Sequence, residues 1–393
     1  MIKFGPGIML ILGALAALGA AAIDMYLPSL PTIEIELAAG PGQAQFTLSA
    51  FFLGLGIGQL FYGPLSDSLG RRKVLIGGLL LYCIASLLCS FADTMIELIG
   101  VRFIQALGAA SGGVIARAMV RDVFTVDKAA QAQSFINLAF SITPLLAPTI
   151  GGFLLIWIGW RSIFFALFIF GLTCLLTLYS KIPETLPIER RIGLSPRSIL
   201  SGYKKILTNR RSLGSMLAGA CAFSCMFTYF AASPFVYIQI FGIPDQYYGL
   251  LFGLNVLGII GANFINARTV VKHGPLLMLR IGVGVLCIGG LLLFCTIFSK
   301  IGGIFGIIIP LFFVIGSIGF IGANAIALAL EPFADLAGTT ASLFGFIQMI
   351  MGAVSGIIVG ALHDGTAGPM GLIILILSLA SFIFLKLFVQ NKN

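Results

Sequence analysis

Apolar runs long enough to cross a bilayer recur twelve times along this chain of 393 residues. A span needs roughly 20 predominantly apolar residues. The runs fall at 7–27, 43–65, 74–92, 96–120, 131–155 and 161–180, then at 212–236, 247–267, 275–298, 302–330, 336–361 and 367–389. Hydrophobic residues make up 59% of the chain and charged ones only 9%, with a mean hydropathy of +1.09. A soluble domain cannot offer water so little polar surface. The expected fold class is an all-α polytopic membrane protein with twelve transmembrane helices in two six-helix pseudo-repeats.

One polar stretch divides the runs six and six. Residues 181–211 carry eight cations, with Pro183 and Pro187 near the start. Within it Ile199, Leu200, Tyr203, Ile206 and Leu207 share one helical face, flanked by Ser198, Ser201, Lys204 and Lys205. That pattern suits a short amphipathic helix at headgroup level; a disordered linker is the plainer alternative. The expected organisation is an N-terminal bundle over 1–180, a basic linker over 181–211 and a C-terminal bundle over 212–393.

The formal net charge of +9 would suit a nucleic-acid surface, but its placement argues against one. With the N-terminus inside, the connections on the cytoplasmic side hold seventeen Lys or Arg and those outside hold only Arg161 and Lys300. This is the positive-inside asymmetry, and it puts both termini in the cytoplasm. The seven cysteines all lie within apolar runs and read as packing residues. Cys221 and Cys225 share a helix face, but His273 and His363 are the only histidines and neither is near, so no metal site is expected. The uncharged run from Gly7 to Ile23 could imitate a signal peptide. Its continuation into Asp24-Met-Tyr-Leu-Pro28, with no small-residue cleavage site before the next span, favours a retained first helix.

Between Phe46–Leu65 and Val74–Phe91 sits Gly63-Pro-Leu65-Ser-Asp67-Ser-Leu-Gly70-Arg71-Arg72-Lys73. Glycines permit a tight hairpin there, and Asp67 offers a carboxylate to a neighbouring helix N-terminus or arginine. Two ionisable groups lie inside apolar runs, where a charge costs about 2.5–3.5 kcal/mol or more. Asp24 is either an interfacial acid or a protonatable carboxylate facing a cavity. Arg102 is either a snorkelling cation or a fixed charge in a cavity wall, followed by Gln105, Ala109, Gly112 and Ala116 on the same smooth face. On the fifth run Ser134, Asn137, Ser141, Pro144, Pro148 and Gly152 recur at helical steps, and the prolines should bend the helix. Gly352, Gly356 and Gly360 form a small-residue packing face, with Gln348 beyond it. Tyr26, Gln105, Asn137, Tyr229, Tyr237, Asn255 and Gln348 are candidates for lining a substrate cavity. Trp157 and Trp160, beside Arg161, read as interfacial anchors.

The hairpin sequence resembles the loop motif between the second and third helices of the major facilitator superfamily, through Gly63, Leu65, Asp67, Gly70, Arg71, Arg72 and Lys73. Arg102-Phe-Ile-Gln105-Ala-Leu-Gly108 is similar to the superfamily's fourth-helix pattern, with Ala106 in place of a glycine. In the family that arginine belongs to the proton-coupling path. Ala147-Pro148-Thr-Ile-Gly151-Gly152 is similar to the end of its antiporter motif, although Ala147 replaces a glycine; only Pro148, Gly151 and Gly152 carry over. Asp24-Met-Tyr-Leu-Pro-Ser-Leu-Pro31, Arg117-Ala-Met-Val-Arg121-Asp122, Asn324 to Pro332 and Ala337 to Ala341 resemble the Bcr/CflA, or bicyclomycin-resistance, subfamily of drug:proton antiporters. The fold carries a parallel repeat. A shift of 204 residues sets Gly70 on Gly274 but Asp67 on Val271, so the repeat rests on hydropathy.

The resemblance implies a secondary transporter of the bacterial inner membrane, monomeric, exporting a small amphiphilic drug or metabolite in exchange for protons. Asp24 and Arg102 would carry the coupling. An uptake symporter for a nutrient or siderophore is the alternative within transport, and a non-transporting receptor lies outside it. No nucleotide-binding glycine loop is present, so ATP is not the source of work. No nucleophile, base and orienter occur together, so an enzyme is not expected, and nothing calls for a cofactor.

Overall fold

The computed structural model describes residues 6–124, 126–191, 193 and 196–389, and these are helical with no strand among them. The chain runs α1 (Pro6–Asp24), α2 (Leu30–Glu36), α3 (Gln43–Leu69), α4 (Arg71–Cys89), α5 (Met95–Val123), α6 (Val126–Ile158) and α7 (Arg161–Lys181). It continues with α8 (Pro196–Thr208), α9 (Arg210–Pro234), α10 (Asp245–Ser299), α11 (Phe305–Gly316), α12 (Ile318–Leu330), α13 (Ala337–Ala361) and α14 (Gly368–Phe388). α10 is two spans in line, parted at Gly274, whose φ of 76° and ψ of 159° leave the helical region. Counted so, and with α11 and α12 forming one span, twelve membrane crossings stand among the described residues.

Packing groups α1 to α7 into one compact unit and α8 to α14 into another, except that residues 40–49 group with the second and 245–249 with the first. In the first unit α1 packs on α5 and α6, and α4 on α5 and α7. In the second, α9 is the hub, covered by α12, α13 and α14. Small residues set these approaches. A Cβ on Gly112 of α5 would lie 2.2 Å from the Leu15 carbonyl oxygen of α1, and one on Gly352 of α13 would meet the Phe227 ring of α9 at 2.1 Å. Helices in lipid approach this closely only through such positions.

Local sequence places the ends. Thr94 and Glu97 close a capping box at the start of α5, the Thr94 hydroxyl accepting from the Glu97 amide and the Glu97 carboxylate from the Thr94 amide. Asn209 accepts from the Ser212 amide at 3.0 Å and so caps α9.

Three features depart from the expected layout. The hairpin after Phe46–Leu65 is tighter than its polar residues suggest: α3 stays helical to Leu69, α4 restarts at Arg71, and Gly70 alone makes the turn. Its φ of 99° and ψ of 149° belong to a region that only glycine occupies without strain. Gly274, set opposite Gly70 by the 204-residue shift, adopts nearly the same conformation, so the backbone keeps a repeat that the side chains have lost. The first span does not run unbroken to 27. It breaks after Asp24, passes through a 3-10 turn at Leu27–Ser29 and continues as α2. The tenth is interrupted at Ser317, where a Gly316-Ser317 pair loosens the helix and the Ser317 hydroxyl donates to the Val314 carbonyl at 2.6 Å.

Trp160 also corrects an expectation. Trp157 is 74% exposed, as an interfacial anchor should be, but Trp160 is only 1% exposed. Its indole Nε1 donates to Glu36 Oε2 at 2.8 Å and its ring meets Phe164 edge-on, so it ties α2 to the start of α7. An indole whose ring is covered by the protein and whose N–H finds a carboxylate on a neighbouring helix has no need of the interface.

Candidate functional site

The first unit gathers its chemistry at the break after α1. Asp24, the last residue of α1, is 3% exposed, and among the described residues its carboxyl makes no hydrogen bond or ion pair. Two residues on, the Tyr26 ring lies against Arg102 of α5. Arg102 is fully buried, with its guanidinium carbon 4.5 Å from the Tyr26 ring centre, 4.1 Å from Phe51 and 5.6 Å from Phe164. It therefore does not snorkel.

One hydrogen-bond chain holds this arginine. Nη1 donates to Gln105 Oε1 at 2.7 Å, Gln105 Nε2 donates to Ser86 Oγ at 2.8 Å, and Ser86 Oγ donates to the Tyr82 carbonyl at 2.7 Å. Nε and Nη2 have no hydrogen-bond partner among the described residues, and no carboxylate pairs with the group. The structure thus brings Tyr26, Arg102 and Gln105 together, while Asp24 and Arg102 are joined by neither hydrogen bond nor ion pair. A delocalised cation facing π-electrons can stay charged without a counter-ion and keep donors free for an incoming acceptor.

One of the antiporter-motif residues, Gly151, meets the same break from α6, while Gly152 faces the start of α10, where its Cβ would lie 2.7 Å from the Asp245 carbonyl oxygen. Pro144 and Pro148 lie inside α6, and Pro148, Gly151 and Gly152 are buried. A Cβ on Gly151 would sit 2.0 Å from the Met25 carbonyl oxygen. Met25 lies between the Asp24 carboxyl and the Tyr26 ring. The backbone of α6 therefore touches the short segment that joins the candidate acid to the cage of the candidate cation.

At the Gly70 turn the loop motif forms a second, part-buried cluster around Arg71. Arg71 bridges the Asp67 carboxylate and, from Nε, Asp122 Oδ2 at 2.9 Å, while Nη1 donates to Ser66 Oγ at 2.7 Å. Asp67 thus serves an arginine and not a helix N-terminus. That role falls to Glu184, in the segment after α7, which accepts from the Arg71 amide at 2.9 Å and the Arg72 amide at 3.2 Å. Arg191 lies 3.9 Å from the same carboxylate, and Arg72 Nη2 donates to the Tyr179 carbonyl at 2.8 Å. Leu65 is half-buried, Lys73 is exposed, and a Cβ on Gly63 would meet nothing within 4 Å. Ends of α3, α4, α5 and α7 are pinned to one another here. Glu184 carried no signal of its own; only its position, an acid within a basic linker, could have marked it.

In the second unit Tyr229 of α9 stacks on Phe252 of α10, with ring centres 5.7 Å apart, and meets Phe230 and Tyr237 edge-on. Asn255 Nδ2 donates to the Tyr229 hydroxyl at 3.0 Å, and Oδ1 is buried without a hydrogen-bond partner among the described residues. Tyr237 lies in a π-helical turn, Phe235–Ile240, that ends α9; such turns are frequent at functional sites. The structure thus joins Tyr229, Tyr237 and Asn255 in one aromatic cluster with a polar core. Gln348 stands apart on α13, buried and without a hydrogen bond among the described residues, and Asn137 is exposed on α6, accepting from Gln133 Nε2 at 3.2 Å. A buried pair the sequence reading passed over is Asn324 and Asn266, with Nδ2 donating to Oδ1 at 2.7 Å.

Twelve crossings among the described residues, with polar side chains buried between them, define a multi-pass membrane protein. The model of the Major Facilitator Superfamily matches residues 9–356, and the chain belongs to that family. It is a transporter and not an enzyme. It is 34% identical over 362 residues to a bicyclomycin resistance protein homolog of Haemophilus influenzae, covering 92% of this chain and 91% of that one. It is 30% identical to a chloramphenicol resistance protein of Pseudomonas aeruginosa over 363 residues, 91% of this chain and 84% of the relative. The fold matches the xylose transporter XylE of E. coli in a partially occluded inward open conformation, with a TM-score of 0.73, 16% identity and 98% of each chain covered.

Proposed function

We propose that this chain exports a small amphiphilic compound, a drug or a metabolite, from a bacterial cell across its inner membrane in exchange for protons. The observation that carries the reading is its likeness, over nine-tenths of its length, to transporters named for resistance to two different drugs. Resistance conferred by a transporter requires outward flux. The transporter works as a monomer with both termini in the cytoplasm, as two six-helix halves, 1–180 and 212–393, joined by the linker 181–211.

Asp24 is the proton carrier in this reading. Its carboxyl is buried and makes no hydrogen bond or ion pair among the described residues, and in this reading it takes a proton from the side where protons are abundant and gives it up on the other. Arg102 keeps its charge in the aromatic cage and offers Nε and Nη2 to an acceptor. Tyr26 and Gln105 hold that cation in place. Tyr229, Tyr237 and Asn255 give a lipophilic compound ring faces and an amide, with Asn137 and Gln348 as weaker candidates. The Asp67–Arg71–Asp122 cluster holds the Gly70 turn in one of its states. One charge moving through 100 mV supplies about 2.3 kcal/mol, enough for roughly fifty-fold accumulation.

A susceptibility and metabolite-release panel tests this, comparing cells with and without the protein. The expected result is protein-dependent resistance or release for at least one amphiphilic compound, abolished by a protonophore. Protein-dependent sensitivity, or accumulation inside the cell, would point to uptake and overturn export.

A further inference from the structure

α8 has three faces. At about 100° per residue, Ile199, Gly202, Tyr203 and Ile206 fall along one side of it. That side docks on the second unit: Ile206 is fully buried and a Cβ on Gly202 would lie 3.5 Å from Thr339 Cγ2 of α13, while Lys205, on the flank away from the leucines, sets its Nζ 5.9 Å from the Phe333 ring centre. Next around the helix come Leu200 and Leu207, which are 66% and 41% exposed. Beyond them lie Arg197 and Lys204, also exposed, and the helix carries no acidic residue.

The order of the faces is a docked strip, a bare apolar strip and a cationic strip. A helix that served only to link two spans would turn polar residues outward from its docked side. Here the residues beside that side are leucines, and their neighbours are long cations whose stems can reach past them. This arrangement fits a bilayer surface, with leucines in the acyl boundary and cations among the phosphates. A protein partner fits less well, since a stable interface takes about 800 Å² on each side and two leucines offer far less.

We propose that α8 is a built-in sensor of anionic phospholipid, seated on the second unit through Ile206 and Tyr203 and binding lipid phosphates through Arg197 and Lys204. Because the docked face and the lipid face belong to one rigid turn, the headgroup charge of the adjoining leaflet bears directly on α13. The proposal does not depend on what the protein transports.

The test uses the full-length protein in nanodiscs of phosphatidylcholine with and without phosphatidylglycerol, reading amide hydrogen exchange over 196–208. Exchange in the wild type should be slowed roughly tenfold more in the anionic bilayer. Arg197→Gln with Lys204→Gln should lose that difference while keeping the protection seen in the neutral bilayer. Leu200→Ser with Leu207→Ser should lose protection in both, and Lys300→Gln should behave as wild type. Equal exchange in the two bilayers, or retention of the difference by the double charge variant, would overturn the proposal. So would protection that appears only with two copies per disc, which would assign the strip to self-association. The wild-type comparison decides the matter even if a variant fails to fold.

Discussion

A guanidinium enclosed by three aromatic rings, with one amide as its acceptor, is the feature from which most of the chemistry follows. A charge at mid-membrane depth costs about 2.5–3.5 kcal/mol on insertion scales, and a desolvated cation–π contact returns on the order of 2 kcal/mol. Two or three such contacts therefore offset the burial of Arg102 without a carboxylate. Arg102→Lys should destabilise the protein by about 2 kcal/mol, because a compact ammonium cannot spread over Tyr26, Phe51 and Phe164 together; thermal melting in detergent measures it. At the Gly70 turn, Glu184→Ala strips the acceptor from two helix-start amides and should cost about 1–3 kcal/mol by the same assay, with Glu184→Gln recovering part. Arg102 was legible because any ion in an apolar run demands a reason. Its cage was not, since Phe51 and Phe164 are two of thirty-four phenylalanines and nothing in the sequence sets them apart from the rest.

At the scale of elements, the informative departures from a plain run of helices are breaks. The chain leaves α1 after Asp24, and α6 touches that break through Gly151, where no side chain fits. Gly151→Val should force α6 away from Met25, lowering transport at least tenfold in vesicles while the protein still inserts and remains monodisperse. A valine with wild-type transport would show that the contact is idle. Gly70→Ala should cost about 1–3 kcal/mol, because alanine is strained at a φ of 99° and its methyl would press on Glu184 and Arg191. Hydropathy located the spans to within several residues, because a membrane fixes the length of what crosses it. It could not show that α3 continues through polar Ser66 and Asp67, since those residues are satisfied by an arginine 5 and 4 positions further along the chain. Nor could it show that Trp160 turns inward, which depends on where Glu36 of α2 comes to lie.

For the whole molecule, the all-helical, multi-pass class followed from the lengths of the apolar runs together with the composition, and the family from three short motifs. The aromatic cluster of Tyr229, Tyr237 and Asn255 was visible only as candidates scattered over two spans, because the packing of α9 on α10 joins them. The account as a whole requires that one carboxyl links proton flow to solute flow. Proteoliposomes holding wild-type or Asp24→Asn protein, loaded with an exported compound identified by the panel, test this under an imposed pH gradient. Wild-type protein should move the compound against the proton flow, and Asp24→Asn should insert and fold normally yet lose the response to the gradient. Gradient-driven transport by Asp24→Asn at the wild-type rate would contradict the account.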